Sequence, residues 1–191
     1  MGVRERHYAS AMPVIVVPYR GDSKRRLPPA IRAAMAIAML GDVVAAVLEV
    51  GRVVVVTDDA SVLPSGVEVV ADPGEGQGAA VAAGLAQVDG HALVVNADLP
   101  CATPEAIRSL AAAGLALVEA ADGTTNALSL PDPSLFAQLY GPGSAARFRA
   151  HAPFATVAIP ELVADVDTGE DLERLAVRLG PRTRALLAVH A

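Results

Sequence analysis

The chain reads as an α/β fold in which a mostly parallel sheet carries helices on both faces. Three observations predict it. Short runs of Val, Ile and Leu recur without polar alternation, as strands buried on both faces require. Those runs alternate with Ala-rich helical stretches, and polar, glycine-containing loops follow them, at what would be the carboxyl edge of the sheet. The 191 residues suffice for one domain over 1–191, behind a short flexible N-terminus at 1–10. Such a chain buries roughly 70% of its unfolded surface. Hydrophobic residues make up 53% but aromatic ones only 3%, so small side chains must fill the core and helices must lie close on the sheet.

The first strand is Pro13 to Pro18, with Val14 to Val17 between the prolines. Tyr19 to Leu27 follows as a polar loop with four cations between Arg20 and Arg26, a candidate for gripping a polyanion. Pro28 and Pro29 can start a helix over Ala30–Leu40, and a second helical stretch covers Asp42–Val50. Val53–Val56 is a strand ending at Thr57-Asp58-Asp59, where the two carboxylates are candidate ligands or caps of the next turn. Val67–Val70 is a third strand. Asp72 to Gly78 then has glycines at alternating positions, letting backbone approach a ligand before an Ala-rich helix from Ala79 to about Gln87. The spacing is not that of a dinucleotide fingerprint.

His91 to Pro100 is the central strand, an apolar run that delivers Asp98 to the sheet's carboxyl edge, where Pro100 ends the ladder. Thr103-Pro104-Glu105-Ala106 caps and opens a helix that continues to Ala113. Leu115–Ala120 is the next strand, and Asp122 to Asn126 turns the chain into Ala127–Leu130. Gly141-Pro142-Gly143-Ser144 opens a helix from Ala145 to about Ala150, a second place where amides and a hydroxyl could meet an anion, with Arg147 and Arg149 as helpers or surface cations. His151 closes that helix, in favourable contact with its dipole. Thr156–Ile159 is a late strand. Leu162 to Thr168 is an extended piece on which Asp165 and Asp167 share a face, Gly169 to Leu172 starts the terminal helix, and Arg182 to Ala191 is an amphipathic tail.

The net charge of −6 argues against nucleic acid as a partner. Cys101 is the only cysteine, which excludes an intramolecular disulfide and a thiolate metal cluster and points to the cytoplasm. No secretion signal and no uninterrupted membrane-length apolar stretch is expected, so no membrane partner is either; the Ala- and Val-rich helices hint at a homodimer. Several cations together with two or three carboxylates at one sheet edge is the inventory for holding a nucleoside triphosphate with magnesium. Ser144 and His151 lack a nucleophile elbow, and no Walker phosphate loop is present.

The order Pro18-Tyr19-Arg20, Lys24-Arg25-Arg26-Leu27, Asn96-Ala97-Asp98-Leu99-Pro100, Gly123-Thr124-Thr125-Asn126, Gly141-Pro142-Gly143-Ser144 and Asp165-Val166-Asp167-Thr168 resembles the 2-phospho-L-lactate and phosphoenolpyruvate guanylyltransferase family. The resemblance runs from about Pro13 to Leu172. It implies a Rossmann-like nucleotidyltransferase fold, and transfer of GMP from GTP to a small phosphorylated three-carbon acid, phosphoenolpyruvate or 2-phospho-L-lactate, in the making of the deazaflavin coenzyme factor 420. It further implies Asp98, Asp165 and Asp167 as Mg2+ ligands and Lys24 with Asp98 as the catalytic pair. Arg20, Lys24, Arg26, Gly76, Gln77 and Gly78 fall on the GTP side; Asn96, on the same strand face as Asp98, is a candidate neighbour of the nucleotide or a polar group satisfied within the core. Thr125 or its neighbour Thr124, with Gly141 and Ser144, falls on the acceptor side. Similar proteins often have Gly-Leu-Asn-Ala-Ala where this chain has Gly76-Gln77-Gly78-Ala79-Ala80, so a base-contacting asparagine is replaced by glycine. The rival enzymes are molybdenum-cofactor and sugar-phosphate nucleotidyltransferases, whose glycine-rich opening signature Val17-Pro18-Tyr19-Arg20 lacks; a non-catalytic GTP-binding module is the rival from another class.

Overall fold

The computed structural model describes residues 12–21, 27 and 29–190. Among the described residues seven strands form one sheet: β1 (Val14–Pro18), β2 (Arg52–Thr57), β3 (Glu68–Ala71), β4 (Ala92–Val95), β5 (Ala116–Glu119), β6 (Thr125–Leu130) and β7 (Ala155–Thr156), in the order β3-β2-β1-β4-β6-β5-β7. Only β6 runs antiparallel to its neighbours β4 and β5. The helices are α1 (Pro29–Leu48), α2 (Gln77–Leu85), α3 (Pro104–Ala112), α4 (Ser144–His151), α5 (Pro160–Val163), α6 (Gly169–Leu175) and α7 (Pro181–His190).

Strand alternation divides the core in two. Ile15, Val17, Val53, Val55, Leu93 and Val95 pack with α1 and α3 on one face, while Val14, Val16, Val54, Val56 and Val94 pack with α2 and α4 on the other. Small residues let the helices come close, as expected from so few aromatics. A Cβ at Gly84 of α2 would lie 2.5 Å from Val16 Cγ1 and 2.9 Å from Val56 Cγ2, so only glycine fits there. A third cluster joins Met35 and Met39 of α1 to Leu172, Leu175 and Leu179 near the C-terminus.

The helix expected to break at Gly41 is one continuous α1 of 20 residues. Gly41 is a contact and not a stop, because a Cβ there would come within 2.6 Å of Arg182 Cδ on α7. Asp42, within α1, caps α7 from a distance, its carboxylate accepting the amides of Arg182 at 3.0 Å and Thr183 at 2.9 Å. Continuity also makes α1 long and apolar enough to cross a membrane, contrary to expectation; 56% of that stretch is buried inside the protein, as in a core helix. The late strand shrinks to Ala155–Thr156, because Pro160 opens α5. Leu162 and Val163 therefore lie in a helical turn, and Asp165 and Asp167 sit on the loop between α5 and α6 and not on a strand.

Candidate active site

β4 ends at Val95, and the next residues turn across the carboxyl edge of the sheet. Asn96 still pairs through its amide with Asn126 O at 3.0 Å, and Asp98 O accepts the amide of Val166 at 3.2 Å. That last bond stitches the α5–α6 loop to the end of the central strand. Val166 is fully buried, so its neighbours Asp165 and Asp167 flank an anchored point. Asn126 fixes the loop from the other side, donating to Leu162 O at 3.1 Å and Val163 O at 2.9 Å. The outcome is that one carboxylate oxygen from each of Asp98, Asp165 and Asp167 lies within 4.8 Å of the others. Three half-buried carboxylates this close repel one another, and oxygen donors of this kind suit a hard divalent cation.

Asp171 holds the downstream end. Burial works to raise its pKa, but hydrogen bonds from Arg174, the Thr168 hydroxyl and the amides of Asp167 and Thr168 outweigh it and bring it down to about 2. Thr168 and Asp171 form a reciprocal capping box at the start of α6.

Beside the carboxylates lies a cleft lined by Tyr19, Arg20, Asp72, Gln77, Asn96 and Asp98, over the ends of β1, β3 and β4. Arg20 donates to Asp72 through Nε at 2.6 Å and Nη2 at 2.9 Å. Helix α2 begins here on Gly76 with no side-chain cap. Gln77 Nε2 donates to Asn96 Oδ1 at 2.8 Å, and Asn96 Nδ2 donates to Thr125 O at 3.2 Å. Gly78 lies against Gln138: an added Cβ would come 2.9 Å from Gln138 Cβ, so the loop before α4 occupies the space a larger residue would need.

The expected acceptor-side residues meet in an adjoining corner. Ser144 Oγ donates to Thr125 Oγ1 at 3.0 Å, and both residues are buried. The amide of Ser144 is taken by Gly141 O and that of Ala145 by Gly123 O, so the start of α4 is satisfied from within. Arg147 donates to the carbonyls of Leu139, Tyr140 and Pro142, and Arg149 pairs with Glu119 at 2.6 Å; both arginines thus bind protein groups. Lys24 and Arg26 lie outside the described residues. Sequence reasoning missed Asp72 as Arg20's partner, since nothing in Asp72-Pro73-Gly74 tells that β1 and β3 end side by side across β2.

A mixed α/β sheet with carboxylates, a cleft and a glycine-opened helix at its carboxyl edge has the groups to hold a nucleotide with a divalent cation. Residues 30–151 match the model of the MobA-like NTP transferase domain. A nucleotidyl transferase from Methanothermobacter superposes with a TM-score of 0.63 at 16% identity, over 94% of this chain and all of that one. The phosphoenolpyruvate guanylyltransferase of Thermomonospora curvata is 35% identical over 98% of this chain and 94% of its own length. The 2-phospho-L-lactate guanylyltransferase of Natrialba magadii is 31% identical over 85% and 83%. The chain belongs to the phosphoenolpyruvate and 2-phospho-L-lactate guanylyltransferase family, within the MobA-like NTP transferases.

Proposed function

We propose that the protein transfers GMP from GTP to the phosphate of phosphoenolpyruvate or 2-phospho-L-lactate, with Mg2+, in the cytoplasm, as a step of deazaflavin coenzyme synthesis. The observation that carries this reading is the convergence of Asp98, Asp165 and Asp167 beside the cleft, in a chain whose relatives bear these guanylyltransferase names. A phosphate oxygen of the acceptor attacks the α-phosphorus of GTP in line. The new P–O bond forms as the bond to the β-phosphate oxygen breaks, and that electron pair leaves with pyrophosphate. The acceptor phosphate is ionised at neutral pH, so no protein nucleophile or base is required; alignment and charge stabilisation carry the rate. Arg20, Gln77 and Asn96 orient the nucleotide, with Gly76 letting backbone approach it and Gly78 offering its amide while its missing side chain makes room for Gln138. Lys24 and Arg26 receive the departing charge.

Asp98, Asp165 and Asp167 would hold the Mg2+, which supplies neutralisation between the two anionic substrates. Thr125, Gly141 and Ser144 form the acceptor corner; because the two hydroxyls are enclosed and pair with each other, their part is to shape it. The test is pyrophosphate release with GTP and Mg2+, comparing phosphoenolpyruvate, 2-phospho-L-lactate and 3-phosphoglycerate, with ATP and CTP in place of GTP as controls. Release with GTP and one of the first two acceptors is expected. No release with any pair overturns the reading.

A further inference from the structure

Arg20 and Asp72 do not follow neighbouring strands. Arg20 succeeds β1 and Asp72 succeeds β3, with β2 between them, so their side chains must reach over the end of β2, roughly 10 Å at ordinary strand spacing. A guanidinium has the length and is gripped at two points, where an ammonium would be held at one. The same Asp72 Oδ1 also accepts the amide of Gly74 at 2.9 Å, and Gly74 has a φ of +81° that begins the bend of the glycine loop. Asp72's own amide donates to Thr57 O at the end of β2. Its side chain is 3% exposed whereas Arg20's is 36% exposed. One buried carboxylate, anchored at its backbone, therefore binds together the cation that faces the cleft and the loop that leads into α2.

We propose that Asp72 is a positioning residue for nucleotide binding: it locks Arg20 and the Gly74–Gly78 loop into one wall of the cleft before the nucleotide arrives. This deepens the proposed function and rests on it for the identity of the nucleotide. A long side chain already pinned loses less freedom when a ligand binds. Positioning and simple charge balance change affinity in opposite directions when Asp72 is removed. If Asp72 only offset the charge of Arg20, its removal would leave the cleft more positive and tighten a polyanion. If it positions Arg20, removal weakens binding despite the added positive charge.

The test measures GTP affinity by calorimetry with Mg2+, and KM and kcat, on the full chain. Asp72→Asn is expected to weaken GTP binding about tenfold with kcat at saturating GTP within about threefold. The double variant with Arg20→Lys should bind no more weakly than Arg20→Lys alone, because an Asn carbonyl can still accept the Gly74 amide and only the two-point grip on Arg20 is lost. Tighter or unchanged GTP binding overturns the proposal, and so does additivity of the two substitutions. Should Asp72→Asn fail to fold, Asp72→Glu keeps the charge and shifts the carboxylate by one methylene; it is expected to weaken GTP at a wild-type melting temperature, and normal affinity in it overturns the proposal. A wild-type protein that neither binds GTP nor releases pyrophosphate overturns both readings, whereas the variant outcomes overturn this one alone.

Discussion

Two helices start on glycine at the same edge of the sheet, and their starts are finished in opposite ways. The start of α4 is closed: Ser144 and Ala145 give their amides to protein carbonyls, Ser144 pairs with Thr125, and Arg147 ties down the three carbonyls before it. The start of α2 is open among the described residues: no group there takes the amides of Gln77, Gly78 or Ala79, and Gln77 lines the cleft. The first-turn amides of a helix need partners, and where the protein does not provide them a ligand can. Gly-x-Gly in sequence is therefore not one signal. The two corners are joined by the run of hydrogen bonds from Gln77 to Asn96 to Thr125, with Ser144 bonded to Thr125 in turn.

The largest effect is expected at the carboxylates beside the open corner. Asp98→Ala should lower turnover about 10³-fold while the melting temperature stays near wild type, since one of three crowded like charges is removed. Turnover and differential scanning on the same preparation check this; a folded variant with near-normal turnover would take Asp98 out of the chemistry. Next in size is Ser144→Ala, which leaves the buried Thr125 oxygen without its donor. A cost of about 1–3 kcal/mol is expected, seen as about 2–4 °C of melting temperature per kcal/mol in a chain of this length, with GTP affinity unchanged. A variant of full stability whose acceptor KM alone rises would show that Ser144 touches the substrate, and the contrast between closed and open corners would fail.

The fold was legible because its strands are apolar on both faces and its helices are bounded by residues that cannot continue them: Thr103 caps α3 and Pro104 opens it just as their chemistry dictates. The convergence of Asp98 with Asp165 and Asp167 followed from the resemblance, but the means did not. Period-2 reasoning put the two later carboxylates on a strand face, and they are in fact brought in by a loop pinned at Val166. What sequence could not carry were pairings between distant positions, such as Asp42 with α7 and Asp72 with Arg20, because a carboxylate's partner is chosen by which strand ends lie near it. The same limit made Gly41 look like a stop. Glycine at a helix crossing and glycine at a helix end are spelled alike.

Smaller effects separate the corners further. Gln77→Ala removes an exposed side chain, so stability should stay within about 0.5 kcal/mol, while KM for GTP should rise about three- to tenfold because Asn96 loses the donor that orients it. This is the inverse of the Ser144 pattern. If Gln77→Ala instead lowered the melting temperature by several degrees, the open corner would be a scaffold too.

The smallest expected effect is in mild acid, and it distinguishes the corners without any substitution. Donation by Arg20 chiefly holds the Asp72 carboxyl below the usual carboxylate range; burial opposes this, and the Gly74 amide and Arg20's charge assist it. Because the folded value lies below the unfolded one, the contribution to stability is complete above about pH 4 and is lost as pH falls through the folded value. No carboxylate takes part in the bonds that close the start of α4, which run from Ser144 and Ala145 to carbonyls and from Ser144 to Thr125. Hydrogen exchange between pH 5 and pH 3, corrected for intrinsic rate, should therefore deprotect the Gly74 amide, which Asp72 accepts, before that of Ser144, which Gly141 O accepts. Simultaneous deprotection would mean that the Asn96 and Thr125 link makes the two corners a single cooperative unit, so that the open corner borrows its rigidity from the closed one.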